Sequence, residues 1–370
     1  MKEIELFHEA VQNVSAVASE IKEKQKKIIG YLCSYAPEEL IFAAGYHPMR
    51  LFSSKSDIVL AQSHLQSYCC SLVRGVLEDG LSGRLDFLDG TVFPHTCDSI
   101  MRLSDIWRMN TKYEFFADVI LPAKLNTQSA KTYMVDVLTR FKKDLETACK
   151  KKITDAKLQE SIKLFNLIRE TLSKIYNLNS SNPGLIKGSD LYAVVKGSMI
   201  MNREVVADLL PFILANLEKT APPANTGKRI VLSGSICDSP DIYTQIEAAG
   251  GVIVGDDLCT GQRWFEGRIL EDKNPITAIA ARYMERMSCP AKHVSLTARG
   301  ENIVSLARKN TADGVIFMLL KFCDPHAFDY PYLKEFLDKQ GIKNMLIEMD
   351  DQQQNLGQLS TRIETFIHMI

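Results

Sequence analysis

Apolar residues recur at helical spacing from residue 5 to residue 26, which predicts an amphipathic helix ending in the solvated basic run Lys22-Glu-Lys-Gln-Lys-Lys27. The pattern then changes. Ile28-Ile-Gly-Tyr-Leu32 has the length and composition of a buried strand. Pro37-Glu38-Glu39-Leu40 reads as a helix start, with proline where a missing N–H costs nothing and two carboxylates at the positive end of the helix dipole. From Gln62 to Asp79 the spacing is helical again. Leu65, Cys69, Leu72 and Val76 form one stripe, and Gln66, Cys70, Val73 and Leu77 the next. The adjacent cysteines are thereby predicted to point about 100° apart. Leu85 to Phe93 predicts a further strand and Asp98 to Trp107 a further helix.

Residues 141 to 220 are rich in Lys, Leu, Glu, Ile and Asn at helical spacing, interrupted at Asn182-Pro183-Gly184, and read as a helical connector. Ala221-Pro-Pro-Ala-Asn-Thr-Gly-Lys228 has the composition of a linker. Beyond it, strands at 229–232, 252–254, 314–320 and 344–348 alternate with helices at 241–249, 300–310, 331–339 and 357–368. Such alternation implies parallel sheets covered on both faces. The predicted fold class is therefore α/β: two parallel-sheet, flavodoxin- or Rossmann-like domains with a helical N-terminus and a helical insertion. The expected division is 1–140 for the N-terminal helix and first α/β domain, 141–222 for the connector and 223–370 for the second α/β domain. No repeat at solenoid spacing occurs, and the two α/β halves have the outline of distant architectural copies.

Composition narrows the functional classes. Forty-four basic residues against 45 acidic ones, a net charge of -1, offer nothing to nucleic acid or an anionic membrane. No run approaches the roughly 18 apolar residues of a membrane span, and Met1-Lys2-Glu3-Ile4-Glu5 opens a polar helix with no apolar leader. Nine cysteines in 370 residues are too sparse for a disulfide scaffold. The expectation is a cytoplasmic protein with reduced thiols, whose partner is a small molecule or another protein.

Cys97 and Cys323 each open a Cys-Asp pair just after an apolar run, in Thr91-Val-Phe-Pro-His-Thr-Cys97-Asp98 and Gly314-Val-Ile-Phe-Met-Leu-Leu-Lys-Phe-Cys323-Asp324. Ligands of open parallel sheets collect beyond the carboxyl ends of the strands, so one thiol from each half is expected at a shared site. A thiol near a helix N-terminus is also easier to ionise, as a metal ligand must be. No Gly-x-x-x-x-Gly-Lys-Ser/Thr loop is present, and Ser233-Gly-Ser-Ile236 reads as a strand-end turn.

Gly30-Tyr-Leu-Cys-Ser-Tyr-Ala-Pro-Glu-Glu-Leu-Ile-Phe-Ala-Ala-Gly45, Gln66-Ser-Tyr-Cys-Cys-Ser71, Leu85-Asp-Phe-Leu-Asp-Gly90, Phe93-Pro-His-Thr-Cys-Asp98, Asp313-Gly-Val-Ile-Phe317, Lys321-Phe-Cys-Asp-Pro325 and Thr361-Arg-Ile-Glu-Thr-Phe366 occur in that order. Taken together they resemble a subunit of the 2-hydroxyacyl-CoA dehydratase and benzoyl-CoA reductase family over nearly the whole chain. The resemblance implies a 4Fe-4S cluster held by three cysteines between two α/β domains. Residue by residue, these are one of the Cys69-Cys70 doublet, Cys97 and Cys323. Cys69 shares its predicted stripe with Leu65, Leu72 and Val76 and is read as core, which leaves Cys70 as the ligand. Three ligands leave one iron open, as substrate chemistry requires.

The resemblance further implies an acyl-CoA substrate, a homologous second subunit or a homodimer, and a separate ATP-hydrolysing iron-sulfur activator that supplies one electron. The hydroxyl of a 2-hydroxyacyl-CoA then departs to give an enoyl-CoA. A related branch carries a double-cubane cluster of eight irons held by about six thiolates and reduces small molecules. Cys33, Cys259 and Cys289, all at expected element ends, are candidate further ligands beside Cys69, whereas Cys149 and Cys237 read as structural. A third alternative is an electron-relay subunit with no substrate site of its own. His95, Glu38 and Glu39, with His326, are candidates for proton handling, and Arg263 is a candidate for a CoA phosphate or a plain surface residue.

Overall fold

The computed structural model describes residues 1–54, 56–223, 227–238, 240–287, 289–350 and 356–370. Its first sheet consists of β1 (Ile28–Tyr31), β2 (His47–Arg50), β3 (Gly90–Pro94) and β4 (Phe115–Val119), all parallel, in the order β2-β1-β3-β4. The second consists of β5 (Lys228–Gly234), β6 (Gly251–Asp257), β7 (Gly314–Leu320) and β8 (Lys343–Met349), also parallel, in the order β6-β5-β7-β8. The two orders are the same when each sheet is counted from its own first strand. Each sheet thus has a topological switch point between its first and third strands.

Period-two burial explains how both faces are covered. Ile28 and Phe93 of the first sheet and Ile230, Leu232, Ile316 and Met318 of the second share one hydrophobic core, to which Val76, Leu77 and Trp107 contribute from helices. Ile29, Tyr31, Val92 and Phe115 face a separate core with Leu138 and Phe141, while Val231, Val254, Val315 and Phe317 face a third with Ile303 and Leu337. The shared core is what joins the two sheets. A further core is built mainly from helices and brings Ile4 and Phe7 against Leu172, Leu191, Val194 and Leu210. The N-terminal helix therefore packs on the connector helices.

Several elements differ from their sequence patterns. The single helix expected over 5–26 is two, Lys2–Gln12 and Val14–Glu23, because the Asn13 side chain accepts from Ala16 N and caps the second. The helix expected from Gln62 to Asp79 forms only over Ser71–Leu81, after a short 3-10 turn at Ala61–Ser63. Leu85 to Asp89 is a turn, and the strand begins at Gly90. The stretch 141–222, expected as a helical connector, holds the end of the helix Gln128–Cys149 and the helices Asp155–Ser181, Gly188–Ser198 and Arg203–Lys219. Of the linker expected at 221–228, residues 224–226 lie outside the described residues.

Candidate functional site

Three helices begin on a cysteine. Cys70, Cys97 and Cys323 are the N-caps of Ser71–Leu81, Asp98–Asn110 and Asp324–Lys339. Cys97 follows β3 and Cys323 follows β7, so they occupy the same place in the two sheets. Unpaired N–H groups and the helix dipole make each of these positions favourable for negative charge.

The carboxyl ends of both sheets meet at an apolar cavity of about 80 Å³. Six cysteines line it: Cys33 beyond β1, Cys70, Cys97, Cys259 beyond β6, Cys289 and Cys323. Leu32, Leu72, Val73, Ile100, Ile236 and Leu320 form an aliphatic part of the remaining wall. None of the nine cysteines is in a disulfide. The turn at Ser233-Gly-Ser-Ile236 belongs to this wall through Ser235 and Ile236. Gly234 makes the turn possible: its φ is +149°, and a Cβ there would sit 1.8 Å from the Met318 carbonyl oxygen.

Cys69 lies in the shared core outside the cavity, with its thiol hydrogen-bonded to Ser99. The sequence pattern also separates Cys69 from Cys70, but through a continuous helix that does not form. Cys70 reaches the cavity because it is the extended N-cap residue, at φ -61° and ψ 152°. Cys149 ends its helix with its thiol 3.3 Å from the Lys151 carbonyl oxygen, and the Cys237 backbone is held by Thr260; neither cysteine lines the cavity.

The proton-handling candidates are placed differently from one another. His95 Nε2 is 2.8 Å from Asp118 Oδ1, which also accepts from Ser104. Glu38 accepts from Tyr31, Arg203 and Trp264, and Glu39 pairs with Arg169. Burial opposes the charge of Glu39, yet Arg169 and Arg282 hold its carboxyl below the usual range. None of these three lines the cavity, whereas His326 does.

Arg263 is neither a surface residue nor free for a phosphate. It is buried, with Nε 2.8 Å from Asp257 Oδ1, and it donates to the Gly234 and Asp257 carbonyls. Its Nη1 stands 3.6 Å from Cys259 Sγ and 3.2 Å from His326 Nε2. The polar loop around Arg263 suggests a surface position, but its carboxylate partner is the last residue of β6 and draws it inward. A second buried cation, Arg50, lines the cavity from the end of β2 and donates to the Cys259 carbonyl at 2.7 Å.

Electrostatics test whether a cluster fits. Burial pushes the thiols of Cys97 and Cys323 up and that of Cys289 up to about 12, and in each case neighbouring cavity thiols add to the effect. Bare thiolates therefore repel one another here, and bound cations would supply the missing counter-charge. Among the described residues no three His, Cys, Asp or Glu side chains converge on one ion position. A cubane distributes its thiolates over several irons, so its ligands surround a volume. Thiol donors, apolar walls and helix N-termini fit such a group.

Fold and cavity together define an α/β protein of two like-ordered parallel sheets with a thiol-walled site where their carboxyl ends meet. Residues 33–370 match the sequence profile of the 2-hydroxyglutaryl-CoA dehydratase, D-component family, and the chain belongs to that family. It is 28% identical to the (R)-phenyllactyl-CoA dehydratase beta subunit of Clostridium sporogenes, over 97% of this chain and 96% of that one. It is 28% identical to the (R)-2-hydroxyglutaryl-CoA dehydratase subunit beta of Acidaminococcus fermentans, over 98% and 97%. With a subunit of the benzoyl-CoA reductase of Thauera aromatica the identity is 30%, over 85% and 83%. The family thus contains both dehydratase and reductase subunits. Among the described residues no helix is long and apolar enough to cross a membrane.

Proposed function

We propose that the cavity holds an iron-sulfur centre and that this chain is the iron-sulfur subunit of an acyl-CoA-directed radical enzyme. The reaction is dehydration of a 2-hydroxyacyl-CoA to an enoyl-CoA, or a benzoyl-CoA-type reduction, with single electrons from a separate ATP-hydrolysing activator. The observation that carries the reading is the wall of six cysteines outside any disulfide, led by the three helix-capping cysteines Cys70, Cys97 and Cys323. The relatives' names supply the acyl-CoA substrate class and a partner subunit. When bound, the cluster supplies a low-potential one-electron store and, at an iron without a protein ligand, a Lewis acid. The chain's own residues hold it: thiolates at helix N-termini bind, aliphatic side chains keep water out, and Arg50 and Arg263 set positive charge beside the sulfurs.

A second reading has one specific observation in its favour: Cys33, Cys259 and Cys289 line the same cavity as the other three. Six thiolates suit a double-cubane cluster in a homodimeric reductase of small molecules. Iron and sulfide analysis of anaerobically purified protein separates the readings, with about four irons per chain for a single cubane and about eight for a double. Cys97→Ser and Cys323→Ser are expected to lower the content in either case. Full clusters in both variants contradict both readings. An isolated chain that binds no CoA thioester but supports turnover with a homologous second subunit points to the relay role.

A further inference from the structure

Cys323 does not stand alone at its helix start. Its Sγ lies 3.3 Å from Nδ1 of His326, one turn into the same helix, and Nε2 of that ring lies 3.2 Å from Arg263 Nη1. His326 and Arg263 are both buried, at 6% and 3% exposure. A guanidinium can only donate. For the Arg263–His326 contact to be a hydrogen bond, Nε2 must be the unprotonated acceptor, which leaves the proton on Nδ1, pointing at the sulfur. Asp257 fixes Arg263 through Nε, and the Gly234 and Asp257 carbonyls take its Nη2. The Gly234 carbonyl is the ring's competing acceptor. It already receives Arg263, and turning Nε2–H toward it would set two donors face to face in a buried site.

We infer that Arg263 and His326 form a positioning pair that fixes the imidazole tautomer and delivers an N–H donor to Cys323 Sγ, tuning the reduction potential of the centre. The inference rests on the iron-sulfur reading above. Hydrogen bonds to ligand sulfurs are one of the levers on cluster potential. A donor favours the more negative, reduced state, so the pair raises the potential and makes the electron easier to accept. The same guanidinium lies 3.6 Å from Cys259 Sγ, so one buried cation addresses two of the six thiols.

Two measurements test this. Nitrogen-15 shifts of selectively labelled histidines in iron-free protein, assigned by loss of a signal in His326→Gln, are expected to show a protonated Nδ1 and a bare Nε2 on His326. The opposite tautomer overturns the inference whatever the metal content. Redox titration of iron-loaded protein, followed by absorption or electron paramagnetic resonance, is expected to give a more negative midpoint for His326→Leu. His326→Gln, which keeps an amide donor, should recover most of the shift. An unchanged midpoint in a fully loaded Leu variant overturns the inference and leaves the cluster reading standing; iron-free wild type overturns both. If the Leu variant fails to load, the tautomer measurement decides.

Discussion

Trp264 Nε1 donates to Glu38 Oε2 across 2.7 Å, joining the helix Glu38–Ala43 after β1 to the helix Gln262–Phe265 after β6 over 226 residues of sequence. The same carboxylate accepts from Tyr31 Oη at 2.7 Å and from Arg203 Nη2 at 2.8 Å. One buried acid thereby ties the first sheet, the connector and the second half together. Every donor around it requires an acceptor, and Arg203 requires a counter-charge.

Glu38→Gln is accordingly expected to destabilise the protein strongly. The amide presents an N–H to groups that are themselves donors and leaves Arg203, fully buried, without its anion. Breaking one partner of a buried ion pair costs about 3 to 5 kcal/mol. Anaerobic chemical denaturation should show a loss of that order. A variant as stable as wild type but defective in turnover would instead mark Glu38 as a proton donor.

The doublet Cys69-Cys70 yields a sharper contrast, because neighbouring thiols differ only in position. Cys70 caps a helix and lines the cavity, while Cys69 is hydrogen-bonded to Ser99 in the core. Cys69→Ser is expected to retain the wild-type iron content, with at most a modest loss of stability. Cys70→Ser is expected to lose iron or to hold an altered cluster. Iron analysis with electron paramagnetic resonance on both variants checks the pair, and the reverse pattern would assign the ligand to Cys69.

What the chain discloses in one dimension has physical limits visible in particular residues. Cys97 and Cys323 are legible because each follows an apolar strand and precedes an Asp at a helix start. The second and fourth strands are not: His47-Pro-Met-Arg50 is four residues long and contains a proline, tolerated because β2 is an edge strand. Phe115–Val119 is a similarly short run. The convergence of Cys33, Cys259 and Cys289 depends on the shared core that draws the two sheets together, and no local pattern encodes it. Arg50 escapes notice, and Arg263 is read as a phosphate ligand or surface residue and not as a buried cation, for a related reason: composition counts charges without revealing which carbonyls and carboxylates surround them.

His47 supplies a pH dependence with a definite sign. It opens β2, is 1% exposed, and its Nε2 is 2.8 Å from the Ile200 carbonyl oxygen, so Nε2 carries a hydrogen and donates. Burial first, then Arg203, pushes its pKa down from 6.5 to about 3. The unfolded chain therefore binds a proton below about pH 6.5 that the folded protein refuses. Stability contributed by neutral His47 is fully present above pH 6.5 and is lost as the pH falls toward 3. At pH 5 the loss is about 2 kcal/mol, from 1.36 kcal/mol per pH unit below the unfolded value. His47→Gln keeps an amide donor for Ile200 but cannot take up the proton. Denaturant titrations at pH 7.5 and pH 5 should show the wild type losing about 2 kcal/mol more than the variant. Equal losses in the two proteins would mean that His47 is protonated in the folded state.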